Sequence, residues 1–155
     1  MKQTLILATA AIVAALIPTA GIADTPGRHP AYLHARTDLR TAQFLMRVRE
    51  EPNVTRNLNR AAEEVEAAIH EIDRAAVLDA KDLEDHPRID ANLPRNGRLR
   101  KIVDLLRSSR RDLSREEDNG RARGWRDAAY QHIDAALEHV HRAAVDLRID
   151  HELGF

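Results

Sequence analysis

Residues 61–83 read AAEEVEAAIHEIDRAAVLDAKDL and decide the fold, because part of this stretch returns later in the chain. Residues 67–77 read AAIHEIDRAAV, and residues 135–145 read AALEHVHRAAV. Six of the eleven aligned positions are identical, and two more pair apolar residues, Ile69 with Leu137 and Ile72 with Val140. The repeat indicates that one helix is used twice, with Ala67 of the first copy aligned to Ala135 of the second.

Apolar residues recur every three or four positions in four segments, which is the pattern of amphipathic helices. The four stripes are Tyr32, Ala35, Leu39, Ala42 and Met46; Leu58, Ala62, Val65, Ile69, Ile72 and Ala76; Leu99, Ile102, Leu106, Ser109 and Leu113; and Ala129, Ile133, Ala136, Val140, Ala143 and Leu147. Residues 85–97 hold two prolines and an Asn-Gly pair and form the only long connection. The sequence therefore predicts an all-α fold, an antiparallel up-down-up-down four-helix bundle over residues 30–150, built from a duplicated helical hairpin.

The N-terminus has the pattern of a secretory signal peptide. Lys2 precedes an apolar run from Leu5 to Ile17, and the small residues Gly21 and Ala23 follow. The run is shorter than the ~20 residues that a membrane-spanning helix requires. We expect cleavage after Ala23, a disordered leader over residues 24–29, a tail over residues 151–155, and a periplasmic or secreted protein with no transmembrane segment after cleavage.

Composition and motifs limit the classes of function. The chain has 24 basic and 25 acidic residues and no cysteine. The near-neutral balance argues against bulk electrostatic binding of nucleic acid, and the lack of cysteine excludes disulfides and covalent haem. The sequence contains no nucleophile elbow, no Gly-rich phosphate loop and no HExxH motif. We predict a non-enzymatic binding or structural module without a cofactor, whose partner is an unknown protein or a small ligand.

In the predicted bundle, one end gathers histidine and aspartate side chains, and its candidate binding residues are Tyr32, His34, Asp38, Asp79 and His139. His34 and Asp38 are four positions apart and share a helix face. Asp79 interrupts an apolar stripe, so its carboxylate needs a partner or a proton. We expect a structural network in which Asp79 pairs with Arg36, Arg40, His34 or Tyr32.

The alternative for this end is a divalent metal site with His34, Asp38 and Asp79 as ligands. Helical bundles build metal sites from imidazole and carboxylate groups that project inward from several helices. The periplasmic metal-binding protein that this alternative describes would use the same His/Asp cluster.

The opposite end of the predicted bundle is rich in arginine, with Arg47, Arg49, Arg56, Arg60, Arg110, Arg111, Arg115, Arg121, Arg123 and Arg126. A functional interpretation is binding of an anionic partner such as a lipid headgroup, with Trp125 as an interfacial contact. The interpretation we favour is that interspersed acidic residues neutralise the arginines and that Trp125 closes the core.

Several segments resemble a family of small exported bacterial helical proteins of unknown function. They are HPAYLHARTDLR at residues 29–40, the AAIHEIDRAA helix, GRLR at 97–100, EEDNG at 116–120 and HIDAAL at 132–137. The family motif opens HPxYLHALSDLR, from which this chain departs at Arg36 and Thr37. The resemblance spans essentially the whole chain after the signal peptide. It implies an exported helical domain, draws attention to His29, Tyr32, His34 and Asp38, and supplies no activity.

Overall fold

The computed structural model describes residues 30–77, 93–115 and 122–155, and these ranges contain helices and no strand. Four main helices pack against one another: α1 (Pro30–Met46), α2 (Pro52–Val77), α3 (Arg95–Ser114) and α4 (Arg123–Asp146). A short helix, α5 (Asp150–Leu153), follows α4. The prediction of an all-α fold with four main helices is confirmed. The predicted signal peptide, the predicted leader and Asp79 lie outside the described residues.

None of the helices in the described residues has both the length and the apolar character that crossing a membrane requires.

The turn between α1 and α2 is held by a side chain. Pro52 begins α2, where its missing N–H costs no helical hydrogen bond. The Thr55 hydroxyl accepts a hydrogen bond from the backbone N–H of Glu50 and donates one to the carbonyl of the same residue, each at 2.9 Å. These two bonds hold Glu50 in place, and Glu50 in turn forms ion pairs with residues at the start of α3.

The internal repeat extends into the core. Alanines at every seventh position line the contact face of α2, and their counterparts in the second copy line that of α4. They are Ala61, Ala68 and Ala75, matched by Ala129, Ala136 and Ala143, and each is at most 1% exposed. Small side chains at this spacing let two helix backbones approach closely along their whole length. α2 and α4 accordingly form the most extensive helix pair.

The helices α1 and α3 share the spacing of their buried residues, although little of their sequence, when Tyr32 of α1 is aligned with Leu99 of α3. Their matched buried residues are Tyr32, Ala35, Leu39 and Met46 in α1, and Leu99, Ile102, Leu106 and Leu113 in α3. Ser109 in the second half of α3 places its Oγ 3.1 Å from the carbonyl oxygen of Ala35 near the start of α1. α1 and α3 are therefore neighbours that run in opposite directions.

Side-chain pairs also give the relative direction of α2 and α4. Near the start of α2, Asn57 Nδ2 donates to Asp146 Oδ2 at the end of α4, at 3.1 Å. Further along, Glu64 Oε2 lies 2.8 Å from His132 Nδ1. The two helices are thus antiparallel.

The predicted up-down-up-down order is wrong at α3. Arg95 and Arg98, at the start of α3, form ion pairs with Glu50 in the turn between α1 and α2. α3 therefore begins at the end of the domain where α2 begins, and these two helices run in the same direction. Within the described residues, no Cα atom of α1 lies within 8 Å of one in α4, and the same holds for α2 and α3, so each of these pairs lies across a diagonal.

The two hairpins are consequently antiparallel to each other, with an approximate two-fold axis between them, and the turn of the first hairpin lies where α3 begins and α4 ends. Short turns force the two helices of each hairpin to be antiparallel neighbours. The connection between Val77 and Arg95 is long, and its length permits either direction for α3.

The end of the chain packs against α3 and α4. Ile149 and Leu153 are buried, at 8% and 4% exposed. Arg100 donates to the carbonyl of Glu152, and Arg107 donates to the carbonyl of Gly154 at 2.9 Å. Residues 151–155, expected to be a tail, are therefore part of the packed domain.

Candidate functional site

Three of the five residues predicted for a site lie on α1, in different environments. Tyr32 is 1% exposed and belongs to the core. His34 is exposed, and Asp38 is half-buried one turn further along the helix. His34 and Asp38 share one face of α1 because they are four positions apart, and His34 has the smallest of the effects that act on the pKa of Asp38.

Asp38 faces α3 across a shallow open groove of about 260 Å³. We define the Asp38 groove by the residues that line it: Asp38 from α1, and Lys101, Asp104, Leu105, Ser108 and Arg111 from α3. The α3 residues recur at intervals of three and four, so they form one stripe along that helix. The groove exists because α1 and α3 are neighbours. In the predicted up-down-up-down order these two helices would lie across a diagonal.

The electrostatics of the groove centre on the Asp38 carboxyl. Burial between the two helices raises its pKa above the ordinary value, because the charged form loses hydration. Interaction with the Ser108 side chain acts in the opposite direction, the negative charge of Asp112 raises the pKa further, and the positive charges of Lys101 and His34 lower it. Burial has the largest effect, so the folded protein holds the proton of Asp38 more readily than an exposed aspartate does.

The rim of the groove carries charges of both signs. Lys101, Asp104 and Arg111 are exposed. Among the described residues, Lys101 and Arg111 form no ion pair with a carboxylate, whereas Arg110 beside them binds Asp134 at 2.7 Å. An arrangement of two available cations around a half-buried carboxyl can bind charged or hydrogen-bonding groups.

The structure does not bring His139 to this site. His139 lies on α4, which is diagonal to α1, and α4 ends at the opposite end of the domain from the start of α1. Its Nδ1 is buried and has no hydrogen-bond partner within the described part of the chain. The reversed direction of α3 and α4 relative to the prediction is the reason for the separation.

The predicted network around Asp79 falls outside the described residues, but one of its expected partners is visible. Arg36 is 4% exposed and forms an ion pair with Asp73 of α2 at 2.5 Å. Neither this pair nor the Asp38 groove makes up a metal site by itself. No group of three or more His, Asp or Glu side chains suited to a metal ion occurs in residues 30–77, 93–115 and 122–155.

The prediction missed the α3 side of the groove. Lys101, Asp104, Ser108 and Arg111 form a polar stripe beside the apolar stripe of Leu99, Ile102 and Leu106. Such a stripe is ordinary for a solvent-facing helix side. Only the adjacency of α1 to α3 gives it a partner in Asp38.

Comparisons of the chain with protein-family models, with curated proteins and with solved structures find no match.

Proposed function

We propose that the protein is an exported helical bundle that acts as a non-enzymatic binding module, with the Asp38 groove as its contact site. The observation that carries the proposal is a half-buried carboxyl beside two exposed cations, Lys101 and Arg111, whose side chains form no ion pair within the described residues, although the charge of Lys101 acts on Asp38. Export is supported by the signal-peptide pattern of residues 1–23 and by the resemblance to exported helical proteins.

The chemistry of the groove suggests the kind of partner. A carboxylate or phosphate on the partner would pair with Lys101 or Arg111, and an amine or hydroxyl would bind Asp38 or Asp104. Leu105 lies on the floor of the groove and is 6% exposed. The proposed partner is thus a small molecule or a protein segment that carries charges of both signs.

Photo-crosslinking in intact cells tests this proposal. A photoreactive amino acid placed at Lys101 should yield a defined adduct, whereas the same group at the exposed Glu63 on α2 should not. Mass spectrometry of the adduct separates a small ligand from a protein, and Asp38→Asn should reduce its yield. Identical adducts at both positions, or none at Lys101, would overturn the proposal. The mass of the secreted or periplasmic protein, expected to begin at Asp24, tests export separately.

A divalent metal is the second candidate ligand, and one observation favours it. His34 and Asp38 lie on one face of α1, close enough for the charge of His34 to affect the pKa of Asp38. Asp79 would complete the proposed ligand set. If a metal is bound, elemental analysis should find it in stoichiometric amount, and the melting temperature should rise with added metal in the native protein but not in His34→Ala. Absence of metal together with an unchanged melt would dismiss this candidate.

A further inference from the structure

A second surface, separate from the Asp38 groove, lies at the turn between α1 and α2. We call residues 44–60 the hairpin tip. Four arginines on it are exposed: Arg47, Arg49, Arg56 and Arg60. Arg56 and Arg60 are one helical turn apart on α2. Two acidic residues, Glu50 and Glu51, are the only acids in this range.

Both acids of the hairpin tip are occupied by α3. Glu50 is 6% exposed at its side chain and pairs with Arg98 and with Arg95, the latter at 2.9 Å. Glu51 pairs with Arg95 at 3.1 Å. These pairs exist because α3 begins at this end of the domain, which the predicted order did not allow.

The arginines of the hairpin tip are left without carboxylates. Within the described residues, none of Arg47, Arg49, Arg56 and Arg60 forms an ion pair or a hydrogen bond through its side chain. By contrast, Arg36, Arg74, Arg110 and Arg142 each bind an acidic side chain. Residues 44–60 thus hold four arginines and two glutamates, a net charge of +2 on a chain of net charge −1, and both glutamates are already paired with α3.

An aromatic side chain stands beside these cations. Phe44 is 43% exposed and lies one turn before Arg47. Trp125 lies at the start of α4, at the other end of the domain, and packs against the core, in line with the interpretation favoured above for it. Phe44 is therefore the aromatic side chain that the hairpin tip offers.

We propose that the hairpin tip docks on an anionic lipid surface, with the arginines at the headgroups and Phe44 at the boundary with the acyl chains. Basic side chains near an anionic bilayer are attracted without a matched geometry, which suits four arginines spread over a turn and a helix. A protein interface would need an apolar centre, and Phe44 is the only large apolar side chain exposed on the tip.

Co-sedimentation with vesicles tests the proposal. The purified protein should bind vesicles with about 30 mol % phosphatidylglycerol in phosphatidylcholine, and not phosphatidylcholine alone. Binding should weaken in about 0.5 M salt, because salt screens the attraction. Each arginine contributes about fivefold in partition coefficient, so Arg47→Gln, Arg49→Gln and Arg56→Gln together should reduce binding about 100-fold.

The matched control removes three other exposed arginines, all at the end of the domain opposite the hairpin tip and outside the Asp38 groove. Arg74→Gln, Arg115→Gln and Arg123→Gln change the net charge equally, and we expect less than about a fivefold loss in total. Phe44→Ser should weaken binding by about fivefold at either salt concentration. Circular dichroism and urea midpoints verify that each variant is folded. No binding to anionic vesicles, equal binding to neutral vesicles, or equal losses in the two triple variants would overturn the proposal.

Discussion

Glu64 and His132 occupy equivalent positions of the internal repeat, and they touch each other, with Oε2 and Nδ1 2.8 Å apart. Contact between equivalent residues is what a two-fold axis between two copies produces. The pair therefore marks where the approximate axis passes between α2 and α4.

We expect this pair to contribute little to stability. The two side chains are 33% and 35% exposed, so solvent screens their interaction. Glu64→Gln and His132→Ala should each reduce the free energy of unfolding by about 0.2–1 kcal/mol. A double-mutant cycle from urea denaturation measures the coupling, with the exposed Glu138–Arg142 pair as a reference. A coupling of several kcal/mol would mean that the pair organises the interface.

Glu50 should matter far more. Its side chain is 6% exposed and that of Arg98 is 9% exposed, so removal of one charge leaves the other buried and unpaired. Glu50→Gln should destabilise the fold by about 3–5 kcal/mol. Glu51→Gln is the control, because the Glu51–Arg95 pair is about half exposed, and it should cost less than about 1 kcal/mol. Equal urea midpoints for the two variants would contradict this assignment.

The alanines between α2 and α4 should not tolerate enlargement. Ala68 is 0% exposed in the most extensive helix pair, α2 with α4, and Ala68→Leu adds three carbons between these two helices. We expect a loss of about 1–3 kcal/mol or more in the free energy of unfolding. Ala67→Leu, at the adjacent and partly exposed position, should change stability by less than about 0.5 kcal/mol. Thermal and urea unfolding of both variants give the comparison.

Asp38 should make stability depend on pH in a definite direction. Burial raises its pKa, so the folded state keeps the proton to a higher pH than the unfolded chain does. Protonation of Asp38 makes its full contribution to the free energy of unfolding below the ordinary aspartate pKa of about 3.9. This contribution is lost as the pH rises through the higher pKa that Asp38 has in the folded state. Asp38→Asn should therefore stabilise the protein at neutral pH.

The gain from Asp38→Asn should disappear below about pH 4, where native Asp38 is protonated in both states. Urea midpoints measured across this range for the native protein, Asp38→Asn and the exposed control Asp104→Asn provide the check. A native protein more stable than Asp38→Asn at neutral pH would show that the charged carboxylate is favourably bound instead.

Much of the fold could be predicted because helical periodicity is a local property. Leu58, Val65 and Ile72 fall on one stripe whatever lies beside them, and each is buried as the pattern indicated. The spacing of His34 and Asp38 gave their proximity for the same reason. The direction of α3 depended instead on Glu50 meeting Arg98, a residue far along the chain and beyond the long connection.

The candidate site could not be predicted in full for the same reason, since its two sides come from helices whose relative direction the sequence did not give. With α3 reversed, His139 moves away from Asp38, and a polar stripe on α3 becomes one side of a groove. No local feature of the sequence distinguishes Lys101 or Ser108 from any solvent-facing residue of a helix. Their relevance follows only from the neighbour that α3 acquires.

The Asp38 groove lies close to the same two-fold axis, so equivalent residues of the two copies meet in it. Asp38 and Leu105 occupy equivalent positions of the two copies when Tyr32 is aligned with Leu99, and both line the groove. In a symmetric pair of separate hairpins, any substitution would appear twice, and two carboxylates or two leucines would meet there. With the two copies in one chain, equivalent positions can carry different residues. Asp38 can therefore supply a carboxyl to the groove while Leu105, at the equivalent position, stays apolar.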